Sequence, residues 1–139
     1  MKKVLKLTYL LFLVFITSCE EKGVIVNCQE CIKDEPVSAE IEIKIDIGYY
    51  GASADITIYE GNIEDGIILR RLQPSGTITK TTLTLNKKYT FTATYYFPPN
   101  NYITVDSATP RVVYNKDQCN DPCYYVYDKV VDLRVRYTK

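Results

Sequence analysis

The chain contains no histidine and no tryptophan. The first absence removes the usual general base and the commonest metal ligand. The second removes a residue common in glycan-stacking platforms and in sandwich cores. Without histidine there is no Ser/His/Asp set, and the sequence has neither a glycine-rich phosphate loop nor an evident pair of buried carboxylates. A catalytic role is therefore not expected, and no catalytic residue, cofactor or resident metal is assigned. Basic and acidic side chains number 17 each and the basic ones are not clustered, which argues against a nucleic-acid groove. No internal repeat or low-complexity tract is present, and no segment past the first few turns of sequence has a helical apolar period.

What is present begins with a leader. Met1 to Lys6 is short and basic, and Leu7 to Ile16 is apolar except for Thr8. That run is too short to cross a bilayer as a permanent helix and has the flanks of a secretory signal. It ends in Ile16-Thr17-Ser18-Cys19. This ending resembles a bacterial lipobox, an aliphatic residue and two small residues before a cysteine. The resemblance implies cleavage before Cys19, lipidation of Cys19, and a cell-envelope lipoprotein held by its lipid at the Gram-negative outer membrane. Glu20 and Glu21 are similar to the acidic residues that accompany outer-surface display in some of these lineages.

The expected organisation is a signal peptide over 1–18, a tether over 19–23 and a β domain over 24–139. Removing eighteen residues from 139 leaves 121, about one domain. Lys2, Lys3 and Lys6 leave with the leader, so 14 basic and 17 acidic side chains remain, a formal charge of −3.

The remaining sequence reads as strands. Val24-Ile25-Val26 is a candidate first strand. From Ala39 to Ile47, alanine and isoleucine alternate strictly with Glu40, Glu42, Lys44 and Asp46, the period of a half-buried strand. Ala54, Ile56 and Ile58 alternate with polar neighbours. Ile67 to Leu72 and Thr77 to Leu85 follow, and then Tyr89 to Phe97, where Tyr89, Phe91, Ala93, Tyr95 and Phe97 share one face. Pro98 to Asn101 reads as a loop and Val112 to Tyr114 as a short extended piece. A long last strand is expected through Val131, Leu133, Val135 and Tyr137. About seven short strands parted by Gly, Pro and Asn turns predict an all-β, antiparallel β-sandwich.

Leu83 and Tyr89, followed by Thr90-Phe91-Thr92-Ala93, resemble the corner that opens the penultimate strand of fibronectin type III domains. The resemblance implies an immunoglobulin-like or fibronectin type III-like sandwich. It also implies that Leu83 and Tyr89 pack together and that the Tyr89 hydroxyl bonds back to the chain, a structural role. Leu85 and Lys87 depart from the pattern, where the family has Pro and Thr, as does the missing core tryptophan.

Beyond Cys19 there are four cysteines, Cys28 and Cys31 as C-x-x-C, Cys119 and Cys123 as C-x-x-x-C. In an exported chain an even set predicts two disulfides, with three connectivities open. Bonds between the pairs would close a long loop, worth about 4 kcal/mol in the chain-entropy model. The rivals are a four-cysteine zinc site, which two close pairs far apart resemble, and a redox-active C-x-x-C. Zinc-thiolate sites belong mainly to reducing compartments. A redox motif needs a helix after it, which Asp34-Glu35-Pro36 denies.

Two further candidates complete the reading. Glu60, Asn62, Glu64 and Asp65 place oxygen donors in one loop, though at no EF-hand spacing. Tyr49, Tyr50, Tyr96, Tyr102, Tyr124 and Tyr125 fall in turns or on outward faces, where they could stack on sugar rings or on a protein. The expected function is a non-catalytic binding or structural module. Its expected partners are the membrane through the lipid and a protein of the cell envelope. The alternative is a surface glycan-binding lipoprotein, and nucleic acid is not expected.

Overall fold

The structure, a computed structural model, describes residues 23–47 and 53–135. The described residues form an all-β fold of nine strands and two single 3-10 turns. The strands are β1 (Ser38–Lys44), β2 (Ser53–Glu60), β3 (Ile68–Leu72), β4 (Ile78–Thr84), β5 (Tyr89–Phe97), β6 (Asn100–Ala108), β7 (Arg111–Asn115), β8 (Cys123–Tyr127) and β9 (Val130–Asp132). They make three sheets, ordered β4-β1-β9, β3-β2-β5-β6 and β7-β8.

The isoleucine alternation of β1 explains its place at the centre of the first sheet. Ile41, Ile43 and Ile45 are fully buried while Glu40, Lys80 and their neighbours form the wet face. In the second sheet Ile56, Ile58, Phe91, Ala93 and Tyr95 are likewise fully buried. Large faces small across the β2–β5 ladder: Ile56 is opposite Ala93, and Ala54 is opposite Tyr95. That alternation lets the layer fill without voids. One buried cluster draws on both sheets, with Ile41, Ile43, Leu83, Val131 and Leu133 from the first and Ile56, Ile58, Phe91 and Tyr95 from the second. Burial of each such side chain contributes about 1.5–3 kcal/mol.

Four expectations need correction. Val24 to Val26 forms no strand; the first regular element is the 3-10 turn Cys28–Glu30. The pairing is not wholly antiparallel, because β9 runs parallel to β1, with Ile43 beside Val131. The long last strand is confined, among the described residues, to Val130–Asp132. β6 was expected to begin as a loop and instead forms a nine-residue edge strand.

β6 also inverts the usual phase. Its register sets Thr104 opposite Ala93 and Asp106 opposite Phe91, on the core side of β5, whereas Ile103 and Val105 are 67% and 56% exposed. The inward polar groups have partners in the C-terminal segment. Thr104 Oγ1 donates to the Leu133 carbonyl at 2.7 Å, and Asp106 Oδ2 accepts from the Asp132 N–H at 2.8 Å. On its other side Leu133 donates its N–H to the Lys44 carbonyl at 2.8 Å. The C-terminal segment is thus laddered to one sheet by backbone and to the other by side chains.

Tyr95 completes that junction. Its buried hydroxyl donates to the Leu133 carbonyl at 2.8 Å and accepts from the Asp46 N–H at 3.2 Å. Burial pushes its hydroxyl above the ordinary tyrosine range. Tyr89, 2% exposed, lies in the same core cluster as Leu83 and donates its hydroxyl to the Thr84 carbonyl at 3.1 Å.

Candidate functional site

The four cysteines come together at one end of the molecule. Cys28 is bonded to Cys119 and Cys31 to Cys123. Of the three possible connectivities, this is one in which both bonds cross from the N-terminal segment to the β7–β8 hairpin. Local structure prepares the crossing. The Asn27 side chain accepts from the Gln29 N–H, capping the 3-10 turn between the two cysteines. Beyond the turn, Ile32 and Tyr124 exchange backbone hydrogen bonds of 2.9 and 2.8 Å, an isolated antiparallel bridge. Upstream, the Gln118 side chain replaces a strand partner. It accepts from the Val26 N–H at 3.1 Å and donates to the Val24 carbonyl at 3.3 Å. Val24 to Val26 is therefore tied to the hairpin loop by a side chain rather than by a sheet, which is why its apolar residues make no strand.

Beside this end, a groove of about 400 Å³ lies between the hairpin and the wet face of the first sheet. Tyr125 and Tyr127 line it from β8, Glu40 and Glu42 from β1, and Glu30 and Asp128 from the flanking turns. The two ammonium groups in its lining are Lys80 and Lys129. Lys80 Nζ is 2.7 Å from Glu40 Oε1, and the Glu40 carboxylate holds the lysine above its ordinary range. Lys129 Nζ is 2.5 Å from Glu30 Oε2 and sits over the Tyr125 ring at 5.9 Å. Hydrogen bonds from Lys129 and then Asn27 hold Glu30 below the usual carboxylate range. Four carboxylates against two ammonium groups leave the groove acidic, with two aromatic rings at its rim.

The structure sorts the remaining candidates. Cys19, Tyr49 and Tyr50 lie outside the described residues. Tyr96 is 40% exposed and donates its hydroxyl to Asp55, across the two central strands of the second sheet. Tyr102 packs edge-on to Phe97 and supports the core. Tyr124 packs against Tyr114 at 5.0 Å between ring centroids. The candidate tyrosines therefore form no common platform among the described residues; Tyr125 alone belongs to the groove. Of the oxygen donors in the loop, Glu60, Asn62 and Asp65 have hydrogen-bond partners within the protein. Glu60 accepts from Lys87, Asn62 Oδ1 from Lys88, and Asp65 Oδ2 from the Asn62 N–H. Gly61 is needed there, since its φ is +83° and a Cβ would meet Asp65 Oδ2 at 2.8 Å.

Sequence reasoning missed Tyr127, Glu40, Glu42 and Lys80 as neighbours of one groove. The available signal was the polar side of the β1 alternation, which carries Glu40 and Glu42 and gives no hint of what stands over it. No protein-family model, curated protein or solved structure matches this chain.

Proposed function

We propose that the protein is a lipid-anchored lipoprotein of the Gram-negative cell envelope whose immunoglobulin-like or fibronectin type III-like sandwich serves as a non-catalytic binding module. The observation that carries the anchoring is the order basic region, apolar run, Ile16-Thr17-Ser18-Cys19. Strand order supports the sandwich. β3-β2-β5-β6 follows the C′-C-F-G order of immunoglobulin-type sheets and β4-β1 the E-B pair, with β9 where strand A would lie. The Tyr89 bond to Thr84 supports the same assignment.

In this reading the lipid on Cys19 is followed by a tether only a few residues long, and the disulfides at Cys28 and Cys31 fix the domain at the end of it. The partner is an envelope protein. Metabolic labelling with an alkyne-bearing fatty acid tests the anchor: the full chain takes label and Cys19→Ser does not. An unlabelled wild-type chain rejects the lipoprotein reading.

A second reading is a surface glycan-binding lipoprotein. It is favoured by Tyr125 and Tyr127 beside Glu40 and Glu42, since rings that stack on sugar faces next to carboxylates that accept hydroxyl protons suit a saccharide. Glycan-array binding lost in Tyr125→Ala supports it, and a blank array excludes it in favour of a protein partner.

A further inference from the structure

The two disulfides are neighbours. Cys31 Sγ and Cys119 Sγ, which are not bonded to each other, lie 3.8 Å apart. The sulfurs of Cys31, Cys119 and Cys123 all fall within 4.8 Å of one another, and Cys28 joins the group through its bond to Cys119. A tetrahedral zinc centre with Zn–S bonds of about 2.3 Å places its sulfurs about 3.8 Å apart. The unbonded pair already has that spacing. Of the four side chains, two come from a C-x-x-C turn and two from the β7–β8 hairpin, Cys119 in its loop and Cys123 at the start of β8.

The scaffold around the sulfurs does not depend on the disulfides alone. The Ile32–Tyr124 bridge, the Gln118 bonds to Val24 and Val26, and the Lys129–Glu30 ion pair hold the same two segments together. A supporting donor is also in place. Asn115 is buried, its Oδ1 accepts from the Gln118 N–H at 3.1 Å, and its Nδ2 is aimed at Cys123 Sγ at 3.9 Å. An amide N–H directed at sulfur stabilises a thiolate more than a disulfide sulfur, because the negative charge makes it the stronger acceptor. The cluster opens onto a surface depression whose lining includes Lys33 and Asp121, so a metal has an entry path.

We propose that the four cysteines, once reduced, form a tetrathiolate zinc site, so that the same staple exists in two chemical forms. Two equivalents of a dithiol reduce the two disulfides to four thiols and leave as cyclic disulfides. One Zn²⁺ then displaces four protons and binds four thiolates, giving a centre of charge −2. Either form joins the N-terminal segment to the hairpin.

The test uses the full chain carrying Cys19→Ser, so that only these four thiols remain. It is reduced by a dithiol without oxygen, freed of reductant, and titrated with Zn²⁺ against a chromophoric chelator, then with Co²⁺ as a spectroscopic substitute. The expected results are one metal per chain, a cobalt spectrum of four sulfur ligands, protection of all four thiols from alkylation, and a retained β-sheet circular dichroism signal. Asn115→Ala is expected to weaken zinc binding by about 10- to 100-fold. The proposal is overturned by less than one zinc per chain, by a cobalt spectrum with oxygen ligands, or by unchanged affinity in Cys28→Ser or Cys119→Ser. Loss of the β signal on reduction that zinc does not restore overturns it as well. None of these outcomes bears on the lipid anchor.

Discussion

The disulfide connectivity makes a prediction about additivity. Cys28–Cys119 and Cys31–Cys123 span 91 and 92 residues of sequence. In the chain-entropy model, closing a loop of that length in the unfolded chain contributes about 4.6 kcal/mol. Once one bond is closed, the second closes only a small ring made of the residues between the two cysteines on each side. A ring of about nine residues contributes about 2.6 kcal/mol in the same model. Removing either disulfide by a paired Cys→Ala substitution should therefore cost about 2.6 kcal/mol, because the surviving bond still constrains the unfolded chain. Removing both should cost about 7 kcal/mol, roughly 2 kcal/mol more than the sum of the single removals. A total of that size is comparable to the whole stability of an ordinary domain, about 5–15 kcal/mol. The assay is urea unfolding of the parent and the variants, with sulfate added if the variant lacking both bonds is unfolded in buffer. Local bridges, Cys28 with Cys31 and Cys119 with Cys123, would instead contribute about 2 kcal/mol each, independently. Strict additivity with a total near 4 kcal/mol would refute the interleaved Cys28–Cys119 and Cys31–Cys123 pairing.

Other expectations follow from single contacts. Ile43→Ala, at a fully buried site between β4 and β9, should cost about 2–5 kcal/mol in urea unfolding, with both the transfer and the cavity contributing. Tyr95→Phe removes the hydroxyl shared by Leu133 and Asp46 and should cost about 1–3 kcal/mol. The Tyr95 hydroxyl is raised by burial, so its contribution is complete below the ordinary tyrosine range near pH 10 and declines as pH rises through the folded-state value. Stability measured across that alkaline window should fall less steeply in Tyr95→Phe than in the parent. On β6 the exposed Ile103→Thr should change stability by no more than about 0.5 kcal/mol, whereas Thr104→Val, next to it, should cost about 0.5–1.5 kcal/mol through the bond to Leu133. The opposite order in thermal denaturation would mean that the phase of β6 is wrong.

The strands that could be read directly are those in which apolar residues face the core. In β1, β2 and β5 the side chains at every second position are buried, so hydrophobic period and burial coincide. β6 has the same period of two, but its aliphatic residues face outward and its threonine and aspartate face inward. The inversion has a physical cause. The groups that Thr104 and Asp106 satisfy are backbone atoms of Leu133 and Asp132, which the sequence brings near only through the fold. Val24 to Val26 shows the converse, with strand-like residues whose backbone partner is the Gln118 side chain.

Residue patterns alone were enough for the all-β class, the core faces of β1, β2 and β5, the structural role of Tyr89 beside Leu83, and the four cysteines as a set. These rest on local patterns: the pleat has a period of two, turns need particular residues, and two close cysteine pairs suit an oxidised pairing. Which cysteine joins which, the parallel setting of β9 on β1, and the groove shared by Tyr125, Tyr127, Glu40 and Glu42 emerge from the folded chain. Each of these is a meeting of segments distant in the chain, and local periodicity carries no information about which distant face arrives beside it.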